Sequence, residues 1–167
     1  KLTMKMPKVS FMNLDEFVES IGGAENVIAG VMSNISGEIE GFVLFALDIE
    51  DAHRLVNRLM GLELSSIDLF DDVDLSAVKE IGNILISSYL ASLETLTGIR
   101  MRPSNPMLAI DMAGAILSFP AVVNSRERDE VLRIESQFEG EDLSIEGHIM
   151  MIADSESYNT IRKKLGI

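Results

Sequence analysis

Two stretches decide the fold: Gly37-Glu38-Ile39-Glu40-Gly41-Phe42-Val43-Leu44-Phe45-Ala46-Leu47 and Leu143-Ser144-Ile145-Glu146-Gly147-His148-Ile149-Met150-Met151-Ile152-Ala153. Each holds Ile-Glu-Gly followed by an apolar run that reads as a strand. Each strand runs straight into a segment opened by Asp and closed by Gly, Asp48 to Gly61 in the first and Asp154 to Gly166 in the second. Asp is favoured at a helix start because its carboxylate accepts a backbone N–H that has no partner in the first turn. Gly is favoured just past the end because it takes the left-handed conformation that stops the helix. Upstream, Met4-Lys5-Met6-Pro7 matches Met101 to Pro106 in the same order. A duplicated α+β unit is the simplest account. The expectation is one domain built of two repeats, about 1–66 and 72–167, related by a pseudo-two-fold. It would form an antiparallel sheet with long helices packed on it.

The remaining elements follow from period and punctuation. Asn13 to Ile21 reads as a short helix stopped by Gly22-Gly23, and Val27 to Ile35 as a strand that turns at Gly37 into Ile39 to Leu47. Val131 to Glu139 and Leu143 to Ala153 form a second hairpin across Glu139-Gly140-Glu141-Asp142. Met107 to Ser118 fits helix or strand and leans helical after Asp111, while Asn124 to Glu130 reads as a charged loop. The second repeat contains a long helix, about Asp74 to Gly98, before its Met-Pro segment. Its counterpart in the first repeat would lie upstream of Lys1 and need roughly 25 to 30 residues, so the first helix of the first repeat is expected to be absent here.

Composition narrows the function classes. With 167 residues, 47% of them hydrophobic, the chain can bury a substantial core. It contains no Cys, which excludes disulfides and thiolate metal sites and fits a reducing cytoplasm. Its apolar runs are too short to span a bilayer as helices. A net charge of −13 repels a phosphate backbone or an anionic membrane, and suits a partner with a basic rim.

The chemistry concentrates in Ser76-Ala77-Val78-Lys79-Glu80-Ile81-Gly82-Asn83. At 100° per residue, Ser76, Glu80, Asn83, Ser87 and Glu94 fall within about 60° of one another, with Val78, Ile81, Leu85, Tyr89 and Leu96 expected on the buried side. Asp72 or Asp74 is the expected cap. Gly82 costs a helix interior about 1 kcal/mol relative to Ala, which implies that something packs closely against the backbone there. From periodicity alone the stripe is either the solvated side of an amphipathic helix or a site. Pro106 follows Asn83 after twenty-two intervening residues.

The pattern Asp/Ser-x3-Glu-x2-Asn-x22-Pro resembles the signature of the CheC/CheX/FliY chemotaxis phosphatases. Ser76, Glu80, Asn83 and Pro106 match it at each position, and Glu80-Ile81-Gly82-Asn83-Ile84 is similar to the Glu-Ile-Gly-Asn-Ile core of the CheC branch. The duplicated architecture extends the resemblance over essentially the whole chain. It implies hydrolysis of the aspartyl phosphate on the response regulator CheY, with Glu80 and Asn83 as the catalytic pair. An acyl phosphate is already reactive, and the regulator brings its own Mg2+ and Lys, so the phosphatase need only orient a water in line with phosphorus. The amide of Asn83 suits that task. Glu80 is better suited to pairing with a basic residue of the regulator, Ser76 to capping or steering the helix, and Pro106 to shaping the turn after it. The chain would need no cofactor and no metal ligand of its own.

The resemblance leaves further readings open. Relatives in the CheC branch carry two such sites, and here one is visible; the first-half Pro7 is present, but its Glu and Asn would lie upstream. FliY proteins add flanking CheY-binding and flagellar-switch segments that these residues do not include, which favours CheC. Ala109 to Ile116 resembles a CheC helix that docks the receptor deamidase CheD, with Asp111 as the binding residue. The alternative function is therefore an interaction module, weakly catalytic or not at all, that binds CheD or forms the core of a flagellar-switch FliY protein. His53 and His148 read as packing or surface residues rather than ligands, and the ten Met as core filler. Asp68, Asp71, Asp72 and Asp74 lack the Gly and closing Glu of a calcium loop.

Overall fold

The computed structural model describes residues 3–5, 8–61, 70–124 and 130–167. Within them the chain runs β1 (Thr3–Met4), β2 (Lys8–Asn13), α1 (Leu14–Ser20), β3 (Val27–Gly37), β4 (Gly41–Asp48) and α2 (Ile49–Met60). It continues with α3 (Asp72–Thr97), β5 (Met101–Pro103), β6 (Met107–Met112), α4 (Ala113–Asn124), β7 (Glu130–Gly140), β8 (Leu143–Ala153) and α5 (Ser155–Leu165). Pro7, Asp68 and most of the charged loop after Asn124 lie outside the described residues.

All the strands join one antiparallel sheet in the order β1-β7-β8-β4-β3-β5, with β2 also on β7 and β6 also on β3. The two halves meet where β4 pairs β8. Leu44 faces Met150 there, and each stands three residues after the Gly of its Ile-Glu-Gly. Both are fully buried, so the two repeats are joined by apolar side chains, each worth about 1.5–3 kcal/mol when removed from water. Each half also lends strands to the other: β1 and β2 pair β7, while β5 and β6 pair β3.

Alternation along the strands makes two apolar faces. Val31, Val43, Phe45, Ile134 and Ile149 lie in the core shared with α2, α3 and α5. Ile28, Leu44, Ala46 and Met150 lie in a second core with Phe17 and Ile21 from α1 and Ile116 and Leu117 from α4. The caps follow the repeated punctuation. Asp48 accepts from the Glu50 N–H and Asp154 from the Ser157 N–H, while Gly61 and Gly166 close α2 and α5 with φ of 70° and 73°.

Three local expectations need correction. Residues 107–112 form strand β6 and helix begins only at Ala113. The ladder to β3 holds this segment extended, and the Ala113 and Gly114 N–H groups then donate to the Asn26 and Ala24 carbonyls. Asp111 therefore belongs to a strand. The cap of α3 is Asp71, one residue ahead of the expected pair. The buried side of α3 is Val78, Gly82, Ile86, Tyr89, Leu90, Leu93 and Thr97. Leu96 is 65% exposed and Ile81 and Leu85 are half-buried, because the helix rests on β3 through Gly82, which turns the buried side toward Ile86 and Leu90.

Candidate functional site

α3 is fixed at both ends and along its length. At its start Asp71 Oδ1 accepts from the Asp74 N–H at 2.8 Å, and Asp74 Oδ2 accepts from the Asp71 N–H at 3.2 Å. This reciprocal box satisfies two N–H groups that the first turn leaves open. Just before it, Phe70 stacks on His53 of α2 with centroids 3.8 Å apart, so His53 is a packing residue. In the middle the Tyr89 hydroxyl hydrogen-bonds Ser136 of β7. At the end the Gly98 N–H donates to the Glu94 carbonyl at 2.8 Å. The Glu94 carboxylate pairs with Arg102 of β5 at 3.2 Å, which takes it out of the polar stripe as a free group.

What remains of the stripe is Ser76, Glu80, Asn83 and Ser87. Ser76, Glu80 and Ser87 are exposed, whereas Asn83 is half-buried at the border of the packed face. The helix rise puts Ser76 and Asn83 about 10 Å apart along the axis. Glu80 and Asn83, three residues apart, have Cβ atoms about 5–6 Å apart. None of Ser76, Glu80 and Asn83 has a hydrogen-bond or ion-pair partner among the described residues. Half-buried amides are normally satisfied, so a rigidly held Asn83 with both amide functions open is a preset donor–acceptor pair. Ile84 and Val73, 56% and 59% exposed, flank Glu80 on the outer surface. Sequence periodicity did not single them out. The arrangement is a convex helix face with a carboxylate, an open amide and two apolar side chains, suited to entering a partner's cleft.

The other two site residues stand apart from this face. Pro106 is half-buried in the break between β5 and β6. There Asn34 of β3 bonds Ser104 instead, its N–H donating to Ser104 Oγ and its carbonyl accepting from the Ser104 N–H. Gly98, not Pro106, makes the turn after α3. Asp111 is exposed on β6 and its carboxylate accepts from the Met112 N–H at 2.7 Å. It pairs Ile28, whose side chain belongs to the α1/α4 face, so the sheet separates it from Glu80 and Asn83.

A second polar cluster lies on that opposite face. Arg133 Nη2 is 2.9 Å from Glu135 and donates to His148 Nδ1 at 3.2 Å, and His148 Nε2 faces Glu146 at 3.4 Å. Burial, then the adjacent Arg133 cation, holds the His148 pKa at about 4. Burial, then the Glu135 carboxylate, pushes Glu146 up. Glu146 and His148 border a cavity of about 210 Å³ with Asn26, Asp48 and Asp51. His148 is 7% exposed, with both ring nitrogens engaged, so of the two roles its sequence left open, packing or surface, it has the packing one.

The fold is shared with FliY and CheX. The crystal structure of Thermotoga maritima FliY superposes with a TM-score of 0.74 at 21% identity, over 99% of this chain and 82% of that one. CheX from Borrelia burgdorferi, solved in complex with CheY, BeF3 and Mg2+, superposes with a TM-score of 0.51 at 18% identity, over 92% and 84% of the two chains. In sequence, the CheY-P phosphatase CheC of Bacillus subtilis is 28% identical over 99% of this chain and 81% of its own length. The CheC-like family model matches residues 73–108, the segment from the first turn of α3 to the start of β6. The chain thus resembles the CheC-like family, in sequence most directly over α3 and the start of β6. Among the described residues no helix is long and apolar enough to cross a membrane.

Proposed function

We propose that the chain hydrolyses the aspartyl phosphate of CheY by presenting α3 to the phosphorylation site. The carrying observation is the open amide of Asn83 beside exposed Glu80 on a helix fixed at both ends. In this reading Asn83 accepts from a water and aligns it with phosphorus. As a neutral group it brings no charge toward the phosphoryl oxygens. Glu80 pairs with a basic group of the regulator, and Ile84 and Val73 pack around that contact. Ser76 steers the N-terminal half of the helix. The regulator supplies Mg2+, and this chain supplies position, which is worth several kcal/mol when reacting groups are held in line. The activity belongs in the cytoplasm, where a phosphorylated regulator is found. The test adds catalytic amounts of the chain to phosphorylated CheY and follows phosphate loss. The reading expects many turnovers per chain, and a rate equal to spontaneous hydrolysis contradicts it.

A second reading rests on the β6 edge. Met107, Ile110 and Met112 are exposed beside Asp111 on a strand whose only ladder among the described residues is to β3. Such an edge can accept a partner's strand or loop. On this reading the chain is an interaction module for CheD or a flagellar switch, and Asp111→Ala lowers capture of CheD. Unchanged capture contradicts it.

A further inference from the structure

Gly82 brings the backbone of α3 close against Val31 of the sheet. A Cβ placed on it would stand 2.5 Å from Val31 Cβ and Cγ2 and 2.8 Å from Cγ1. Ordinary carbon–carbon contact is about 3.5–4.0 Å. Since the nearest atom includes Val31 Cβ itself, no rotamer of Val31 relieves the contact. Val31 is fully buried on β3, with Phe45 of β4 on one side and Leu108 of β6 on the other. The strand is thus laddered on both sides and has no room to retreat. The helix would have to rise instead, by about 1 Å or more.

We propose that Gly82 is a positioning residue that acts through Val31 to set the height of Asn83 above the sheet. This rests on the reading of α3 as the dephosphorylating face. The residues one turn either side, Val78 and Ile86, carry full side chains into the core. The contact at 82 is therefore a local dip, where bare helix backbone lies on a Val side chain. Asn83 is the next residue and shares the helix surface at that dip, which is why it is half-buried while Glu80 and Ser87 are exposed. Lifting the dip lifts Asn83 with it. Glu80, one turn away on the outer side, grips the regulator from a position less sensitive to that height. Displacing a reacting group by about 1 Å can cost a factor of about 100 in rate. The expected signature is a loss in kcat with little change in KM.

The experiment uses the whole chain with phosphorylated CheY and compares Gly82→Ala, Val31→Gly and the double variant, with folding followed by circular dichroism. Gly82→Ala is expected to lower kcat by about 10- to 100-fold with KM within about threefold. Val31→Gly removes the atoms that the new methyl meets, so the double variant is expected to recover kcat to within about threefold of Val31→Gly. If Gly82→Ala does not fold, the comparison of the double variant with Val31→Gly still decides, because the added methyl must be harmless once Val31 is gone. A folded Gly82→Ala with wild-type kcat overturns the proposal. So does a double variant at least tenfold slower than Val31→Gly. An Asn83→Ala variant that keeps the wild-type rate would instead overturn the reading of the site on which the proposal rests.

Discussion

The two edges of the sheet are built alike and are finished differently. At one edge β6 pairs β3, and its second residue, Leu108, faces Val31 and packs into the core with α3. At the other β2 pairs β7, and its second residue, Val9, faces Ile134. Val9 is 47% exposed. There the nearby cover comes from α5, where Arg162 stacks over Phe11 and Tyr158 packs edge-on against the same ring. Among the described residues only the first edge carries a helix as long as α3, whose Asn83 is half-buried beside exposed Glu80, whereas Glu156 and Asn159 of α5 are both exposed. The scaffold is duplicated, and the candidate chemistry is added by what lies on one edge of it.

The largest expected stability effect contrasts the two central strands. Phe42 and His148 each follow the Gly of Ile-Glu-Gly, and both are buried. Only His148 titrates. Its pKa is about 4 in the fold against an ordinary 6.5, so between those values the unfolded chain takes up a proton that the fold refuses. The stabilising difference is complete above pH 6.5 and is lost as pH falls toward 4. Burial raises Asp51 and Glu146, and these favour the fold toward acid, lost as pH rises through their folded pKa values. His148→Gln isolates the His contribution. Urea unfolding at pH 7 and pH 5 is expected to show a drop about 2 kcal/mol larger in wild type than in His148→Gln. Equal drops would remove His148 from the acid response.

A smaller effect compares the edges directly. Leu108→Ala removes side-chain atoms packed with α3 and is expected to cost about 1–2 kcal/mol, whereas Val9→Ala should cost no more than about 0.5 kcal/mol. Equal losses in denaturant melts would mean that α3 does not stabilise its edge. Smallest is the helix start. Asp71→Ala breaks the capping box and is expected to cost about 1 kcal/mol, leaving the β2 edge unaffected in hydrogen exchange.

Much of this was legible because it is local. Asp48, Asp154, Gly61 and Gly166 announce helix ends through their own backbone chemistry, and Ile-Glu-Gly announces the repeat twice. The segment from Met107 to Met112 was not legible, since its extended form is imposed by β3 rather than by its own residues. The buried side of α3 was misjudged because its orientation depends on one tertiary contact, Gly82 on Val31. Gly82 hinted that something packs there, but not what. The stripe of Ser76, Glu80 and Asn83 could be read from spacing. That Glu94 is engaged by Arg102 and Asn83 left open could not, because both depend on where neighbouring strands lie.

The central claim is that α3 grips through Glu80 and catalyses through Asn83. The direct measurement compares Asn83→Ala and Glu80→Lys for dephosphorylation of CheY-P and for binding to CheY held in its phosphorylated form by beryllofluoride. Asn83→Ala is expected to bind within about threefold of wild type and to lose about 100-fold or more in rate. Glu80→Lys is expected to lose binding by about tenfold or more. An Asn83→Ala variant that dephosphorylates CheY at the wild-type rate would contradict the account.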